Sequence, residues 1–210
     1  MGGIMLWYEG GDISRILAMP RSGIICIDVE TTGLCADRGD EILQLGIVDA
    51  TGATLLSGYV RPTHRKTWPA AQRVHGITPE TVRGAPAMGD LLPKVDAALS
   101  RAELLVGYNL PFDMGFMQAA GARIPRCPRF DVMREFAPVA GSKRRSSGAY
   151  AWVPLATCAR HYSVRLHAHD AFADACVTML CFQRMLEDDG SVFGGPGCLP
   201  YLEVVRRRGR

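Results

Sequence analysis

The apolar residues of this chain form short uninterrupted runs that predict buried strands. Residues 24–27 are such a run, bounded by a glycine and an aspartate. A short run rich in β-branched residues is typical of a central strand that is buried on both faces. Residues 103–108 predict a second core strand, and residues 41–49 and 54–60 alternate around a turn. We interpret this pair as a hairpin beside the first strand.

Helical periodicity is clearest at residues 171–186, where apolar side chains recur at helical spacing and predict a long helix. A second helix is predicted at residues 111–120, directly after the second strand. Asn109 is expected to be its N-cap and Pro111 to lie in its first turn. Smaller elements are predicted at Met88–Leu99 (helix), Arg129–Asp131 (strand), just before Pro138 (helix) and residues 154–162 (helix).

Two acidic residues follow the first predicted strand in the sequence Asp28-Val29-Glu30. Because side chains alternate along a strand, Asp28 and Glu30 are expected on the same side. Neighbouring carboxylates repel each other, and a divalent cation removes that penalty. Hard oxygen ligands favour Mg²⁺ or Mn²⁺ over zinc. The alternative is that the two acids merely end a strand in solvent.

A third acid, Asp113, is predicted about one turn into the helix that follows the second strand. Its carboxylate would lie near the positive end of the helix dipole. Its apolar neighbours are expected to hold it at the edge of the sheet, so we interpret it as functional. Two interpretations of Asn109 stay open: it is either only a cap or a further polar group of the site.

The long predicted helix is preceded by His169 and carries Asp174 in its first turn. A histidine with a pKa near neutrality can take a proton from water. His167 lies two residues earlier, and chemistry alone does not exclude it as the base. Three acidic blocks and a histidine together predict hydrolysis of phosphodiester bonds.

These blocks resemble the three motifs of the DEDDh 3′-5′ exonuclease family, which includes the proofreading epsilon subunit of bacterial DNA polymerase III. Its first motif, Asp-x-Glu-Thr-x-Gly, is matched from Asp28 to Gly33. Asn-x-x-x-Asp is matched by Asn109 and Asp113, and His-x-x-x-x-Asp by His169 and Asp174, which favours His169 over His167. Residues 74–79 are also similar to a segment common in these enzymes.

The resemblance implies an α/β, RNase H-like fold with a mixed five-stranded sheet flanked by helices. It also implies two Mg²⁺ or Mn²⁺ ions, one held by Asp28, Glu30 and Asp174 and the other mainly by Asp28. Asp113 would complete the pocket, and His169 would deprotonate the attacking water. Two such ions can stabilise both the entering and the leaving oxygen.

The same resemblance implies that Thr31 and Leu34 meet the terminal nucleotide, with Leu34 packed on its base. For Leu34 the alternative is an ordinary core position. Thr31, Thr32 and Gly33 are predicted to form a tight turn whose backbone can approach a ligand closely.

Length and charge set limits on this interpretation. We expect an exonuclease domain at residues 23–187, an N-terminal extension at 1–22 and a tail with a basic end at 188–210. The extension either packs on the domain or docks a partner. The net charge is only +3, so affinity for nucleic acid must come from local patches. The strongest patch is predicted in a loop formed by residues 141–148 and consists of Lys143, Arg144 and Arg145, which either hold backbone phosphates or merely form a solvated surface loop. Residues 64–66 and the C-terminal arginines are weaker patches.

Seven cysteines without a Cys-x-x-Cys pair indicate a reducing compartment, and no stretch is apolar enough to cross a membrane. We therefore expect a cytoplasmic protein. The resemblance implies an enzyme that acts on nucleic acid with a free 3′ end, preferably single-stranded DNA, in proofreading or repair. A DNA polymerase or a repair protein is the expected partner, and the oligomeric state is left open. The alternatives are an exoribonuclease and a binding module that does not cut.

Overall fold

A mixed five-stranded sheet forms the centre of the protein, as predicted. The computed structural model describes residues 13–141, 151–165 and 169–188. The strand order is β3-β2-β1-β4-β5; the first two pairs of neighbours are antiparallel, and the last two are parallel. The strands are β1 (Ile24–Thr31), β2 (Ile42–Asp49), β3 (Thr54–Tyr59), β4 (Leu104–Gly107) and β5 (Arg129–Asp131).

Helices cover both faces of the sheet, so the central strand is apolar on both sides. The α-helices are α1 (Ile13–Ala18), α2 (Pro69–His75), α3 (Pro79–Val82), α4 (Met88–Leu99), α5 (Leu110–Ala119), α6 (Val132–Val139), α7 (Leu155–His161) and α8 (Ala171–Asp188). Ile24 and Cys26 face one core cluster, which includes much of α8, and Ile25 and Ile27 face the other, which includes parts of α4 and α5.

Strand β1 is longer than its apolar run predicted, and this difference positions the site. Its antiparallel pairing with β2 continues to Thr31, whereas its parallel pairing with β4 extends only from Ile24 to Cys26. The prediction that Asp28 and Glu30 emerge where the strand ends was therefore wrong. Both acids lie inside the strand, in the part that no longer pairs with β4 but still pairs with β2.

Three of the α-helices in the part of the chain that the structure describes were not predicted. Two of them, α2 and α3, have a proline in the first turn, and Thr78 caps α3 through its side chain. The third, α1, belongs to the N-terminal extension, and its Ile16 is fully buried in the cluster that contains α8. None of the helices in the described ranges has the length and apolar character that a membrane span requires.

Candidate active site

Asp113 lies at the crevice where β1 and β4 separate. Its Oδ1 accepts a hydrogen bond of 3.0 Å from the backbone N–H of Val29, a residue beyond the last pairing of β1 with β4. The carboxylate thus satisfies a donor that has no partner on β4. Asp113 is 2% exposed and lies in the first turn of α5, as predicted.

The loop before α8 brings the third block to the same crevice. His169 has a left-handed backbone, with φ of 70°, and its N–H donates to Asp174 Oδ2 at 3.0 Å. Asp170 caps α8 by accepting the N–H of Ala173 at 2.9 Å. The backbone of His169 is therefore fixed against the acid, while its side chain is exposed.

Glu30, His169 and Asp174 meet at one point: each offers a ligand atom, and these atoms lie within 4.8 Å of one another. Asp28 lies beside this triplet, since Asp113, Asp174 and Glu30 all act on its charge. All four predicted acids and the predicted histidine therefore gather where β1 separates from β4, although they come from β1, α5 and the start of α8.

The acids interact unfavourably with one another when they are charged. Burial, followed by the charges of Asp113, Asp174 and Glu30, raises the pKa of Asp28 well above its ordinary value. Burial and the charges of Asp174 and Asp170 raise the pKa of Glu30 from 4.5 to about 8. Burial is also the main cause for Asp174, whose pKa is raised from 3.8 to about 7. A cation would remove this repulsion.

Two buried oxygen atoms in the crevice also indicate a binding site for a cation. Asp113 Oδ2 and Asp174 Oδ1 are buried and form no hydrogen bond within the described residues, although the other oxygen of each carboxylate does. Buried polar atoms without partners are rare. A set of carboxylate oxygens with unused ligand capacity fits a hard divalent cation such as Mg²⁺ or Mn²⁺.

Gln44 and Gly46, which sequence reasoning missed, hold the start of α8 against the sheet. Buried Gln44 pairs with Glu30 across β1 and β2. Its Nε2 donates to Asp170 Oδ2 at 2.7 Å, and its Oε1 accepts the N–H of Ala171 at 3.2 Å. A Cβ on Gly46 would meet the backbone of α8 at Ala171 and Phe172, so only glycine fits there. A polar residue inside the apolar β2 was the available signal for Gln44.

Replacing Gln44 by leucine should lower the free energy of unfolding by about 1–3 kcal/mol, because Asp170 and the N–H of Ala171 lose their partners in a buried place. Cleavage should also slow, because His169 and Asp174 depend on this loop. Chemical denaturation and a nuclease assay measure the two effects. Gln118→Leu, on an exposed position of α5, is the matched control and should change neither. Equal behaviour of the two variants would contradict the assigned role of Gln44.

The turn after β1 has the tight form that was predicted. The Thr31 hydroxyl donates to the carbonyl of Gly33, and a Cβ on Gly33 would collide with the carboxylate of Asp40. Leu34 is 82% exposed, so the alternative that it is a core residue was wrong. An exposed leucine beside the carboxylates is free to contact a ligand.

His75, in the segment 74–79, contacts this turn. Its Nδ1 accepts the N–H of Ile77 at 3.0 Å, so its Nε2 carries the proton and donates to the carbonyl of Thr31 at 3.1 Å. Burial lowers the pKa of His75, and the charge of His169 lowers it further, which favours the neutral form.

Asn109 occupies the N-cap position of α5, as predicted, but its side chain forms no capping hydrogen bond. Its backbone is left-handed, with φ of 63°, and its N–H donates to Asp131 Oδ1 at 3.0 Å. Asp131 also caps α6 through the N–H groups of Met133 and Arg134, and thereby ties the ends of β4 and β5 together. Because the side chain of Asn109 does not cap the helix, the interpretation of Asn109 as a further polar group of the site stays open.

Lys143, Arg144, Arg145 and His167 lie outside the described residues.

The fold and the site define an RNase H-like nuclease with a carboxylate pocket suited to divalent metal ions. The exonuclease family RNase_T matches residues 25–182, and the chain belongs to this family of 3′-5′ exonucleases. It is 34% identical over 173 residues to the uncharacterized exonuclease CP81 of Escherichia phage 186, covering 74% of this chain and 84% of that protein.

Two further similarities agree with the family. The DNA polymerase III subunit epsilon of Pasteurella multocida is 34% identical over 101 residues, which cover 44% of this chain and 39% of that protein. The structure of exonuclease X in complex with 5′ overhanging duplex DNA superimposes with a TM-score of 0.59 at 21% identity and covers 80% of this chain and 93% of that one. At this level of identity the superposition supports the fold, and the RNase H-like prediction is confirmed.

Proposed function

We propose that the protein removes nucleotides one at a time from the free 3′ end of DNA, preferably single-stranded, and releases nucleoside 5′-monophosphates. The observation that carries the proposal is the gathering of four carboxylates and one exposed histidine at the crevice between β1 and β4. The choice of DNA is supported by the names of similar proteins, which include a DNA polymerase subunit and an exonuclease bound to DNA.

In this proposal Asp28, Glu30, Asp113 and Asp174 hold two divalent cations, Mg²⁺ or Mn²⁺. Bound cations of this kind neutralise charge on the entering and leaving oxygens of an in-line displacement. His169 takes the proton from the attacking water, because its side chain is exposed and lies beside Glu30 and Asp174.

The 3′-terminal nucleotide lies against the turn after β1. Thr31 and Gly33 shape that turn, and Leu34 packs on the base with its exposed side chain. Asn109 contributes a polar side chain from the other side of the crevice. In our proposal Lys143, Arg144 and Arg145 hold backbone phosphates.

We further propose a role in proofreading or repair, in the cytoplasm, with a DNA polymerase or a repair protein as partner. The partner is suggested by similarity to the epsilon subunit, of which this chain spans 39%. The six cysteines in the described ranges are free thiols, which is consistent with a reducing compartment.

A comparison of matched DNA and RNA oligonucleotides, single- and double-stranded, tests the substrate. Single-stranded DNA with a 3′-hydroxyl should be shortened from that end in Mn²⁺ or Mg²⁺, and a 3′-phosphate should stop the reaction. Faster digestion of RNA would replace the proposal with its exoribonuclease alternative. Cleavage inside a strand whose 3′ end is blocked would overturn the exonuclease direction, and absence of all cleavage would leave the binding module.

A further inference from the structure

A groove with a basic rim lies next to the turn that follows β1. It has a volume of 190 Å³ and lies between the segment after β3 and helix α3. Four of its eight lining residues are basic, all four are exposed, and none of the eight is acidic. We call it the basic groove; its basic residues are Arg61, Arg65, Lys66 and Arg83. Two of them belong to the weak patch at residues 64–66, and the fold adds the other two.

The floor of the basic groove is apolar and rigid. Trp68 is 4% exposed and Val82 is 2% exposed, and both belong to a small core cluster with Leu43 and Ile77. Because these side chains are almost completely buried, the floor supports the rim and is not itself a stacking surface. The exposed basic rim is the part that suits a ligand, and a nucleic acid backbone supplies the phosphates that such a rim binds.

One carboxylate holds the backbone of the rim in place. Glu41 accepts the N–H groups of Thr63, His64 and Arg65, at 2.7–2.9 Å. Partial burial opposes the charge of Glu41, but these hydrogen bonds outweigh it and lower its pKa below the ordinary value. The segment lacks a helix or strand, yet it is ordered in advance, so a ligand would not have to order it.

The basic groove is connected to the candidate active site by a short series of hydrogen bonds. Trp68 Nε1 donates to the carbonyl of Ile77 at 2.8 Å, and the N–H of Ile77 donates to His75 Nδ1. His75 in turn donates to the carbonyl of Thr31. The backbone of Ile77 and the side chain of His75 thus connect the floor to the end of β1, the strand that carries Asp28 and Glu30.

The basic residues of the groove differ in the hydrogen bonds and ion pairs that they already form within the protein. Arg65 is committed to Asp40 and to the carbonyls of Gly39 and Arg38. Lys66 donates one bond, of 3.3 Å, to the carbonyl of Thr63. Arg83 forms an exposed ion pair with Glu80, which contributes little to stability. Lys66 and Arg83 therefore keep donors for an anionic ligand.

We propose that the basic groove binds backbone phosphates of the substrate strand on the 5′ side of its terminal nucleotides. This inference rests on the proposed function, since it extends the path of the same strand away from the carboxylates. With a net charge of only +3, the protein needs such a local patch to hold a polyanion.

The double variant Lys66→Gln/Arg83→Gln tests the proposal against a matched control, Lys94→Gln/Arg184→Gln. Both pairs remove two positive charges from exposed positions, and Arg184 forms an ion pair with Glu187 at the same kind of spacing as Arg83 with Glu80. The full chain is used, and thermal unfolding verifies that each variant is folded.

The measured quantity is the ratio of kcat/KM for a single strand of about twelve nucleotides to that for a dinucleotide. The Lys66/Arg83 variant should lower this ratio roughly tenfold. A second measurement is the affinity of the protein for the longer strand at several salt concentrations. The slope of the logarithm of this affinity against the logarithm of the salt concentration should become shallower by about 1.4 in the variant, or about 0.7 for each lost phosphate contact. The control pair should change neither quantity.

A ratio and a salt slope that do not change in the Lys66/Arg83 variant would overturn the proposal, and that is the result expected if the groove docks an acidic protein. An equal loss in the control pair would overturn it too, because net charge alone would then explain the effect. Failure of the unaltered protein to cleave either the longer strand or the dinucleotide is a separate result, which refutes the proposed function.

Discussion

Asp28→Asn should lower the rate of metal-dependent degradation of a 3′-labelled oligonucleotide by about 10³-fold or more, equivalent to roughly 4 kcal/mol of barrier. Asp28 is expected to contact both cations, and an amide cannot replace a charged ligand. The shape of the side chain is kept, so the fold should persist. Gel analysis of the labelled strand in Mn²⁺ measures the loss, and retained cleavage would refute the proposed site.

The same variant should be more stable than the original protein when a chelator removes metal. The pKa of Glu30 is raised from 4.5 to about 8 and that of Asp174 from 3.8 to about 7. In the unfolded chain both groups lose their protons near pH 4, whereas in the folded protein they keep their protons up to a higher pH. The folded state therefore binds more protons between those limits, and its stability falls as pH rises through that range.

Asp28→Asn removes a carboxyl whose own pKa is raised well above its ordinary value by burial and by the charges of Asp113, Asp174 and Glu30. The variant should therefore lose less stability toward pH 8 than the original protein. Thermal unfolding from pH 4.5 to about 8 in chelator measures this difference. Added Mn²⁺ should raise the melting temperature of the original protein by mass action, and raise that of the variant less. A melting temperature of the original protein that is independent of both pH and Mn²⁺ would contradict a carboxylate pocket.

His169→Ala should slow cleavage by about 10²–10⁴-fold if the imidazole takes the proton from water. The contact of this residue with Asp174 is made by its backbone N–H, which alanine keeps. The carboxylates should therefore stay in place, and the rise of melting temperature with Mn²⁺ should survive. Steady-state rates and thermal unfolding, measured on the same sample, distinguish a base from a metal ligand.

A second substitution guards against a backbone effect, because His169 has a φ of 70° and alanine is strained in that region. His169→Asn tolerates this conformation and should be as slow as the alanine variant. His167→Ala, two residues earlier, should retain most of the activity. A larger loss from His167→Ala than from either change at His169 would reverse the assignment of the base.

The chemistry of the site was visible in the sequence because each block is local. Asp28 and Glu30 are two residues apart on one strand, and Asp174 is five residues from His169. Such spacings constrain geometry without knowledge of the rest of the chain. The end of β1 was misjudged for the opposite reason, since the apolar run stops at Asp28 but pairing with β2 continues to Thr31.

The contacts that support the site were not visible in the sequence, because the partners are far apart along the chain. Gln44 and Asp170 are 126 residues apart, and Thr31 and His75 are 44 apart. Nothing in the neighbourhood of Gln44 predicts that its amide will hold the start of α8. The backbone N–H of Asn109 likewise has a distant partner, the carboxylate of Asp131, which is 22 residues away.

The amino-acid sequence by itself determined which groups are candidates for the chemistry, because hydrophobic periodicity predicts strands and helices and the motifs place carboxylates on them. Only the tertiary structure decided how those groups meet. The separation of β1 from β4 opens the crevice, Gly46 lets α8 approach the sheet, and the fold gathers Arg61 and Arg83 beside Lys66. These arrangements depend on contacts between distant segments, which no local pattern encodes.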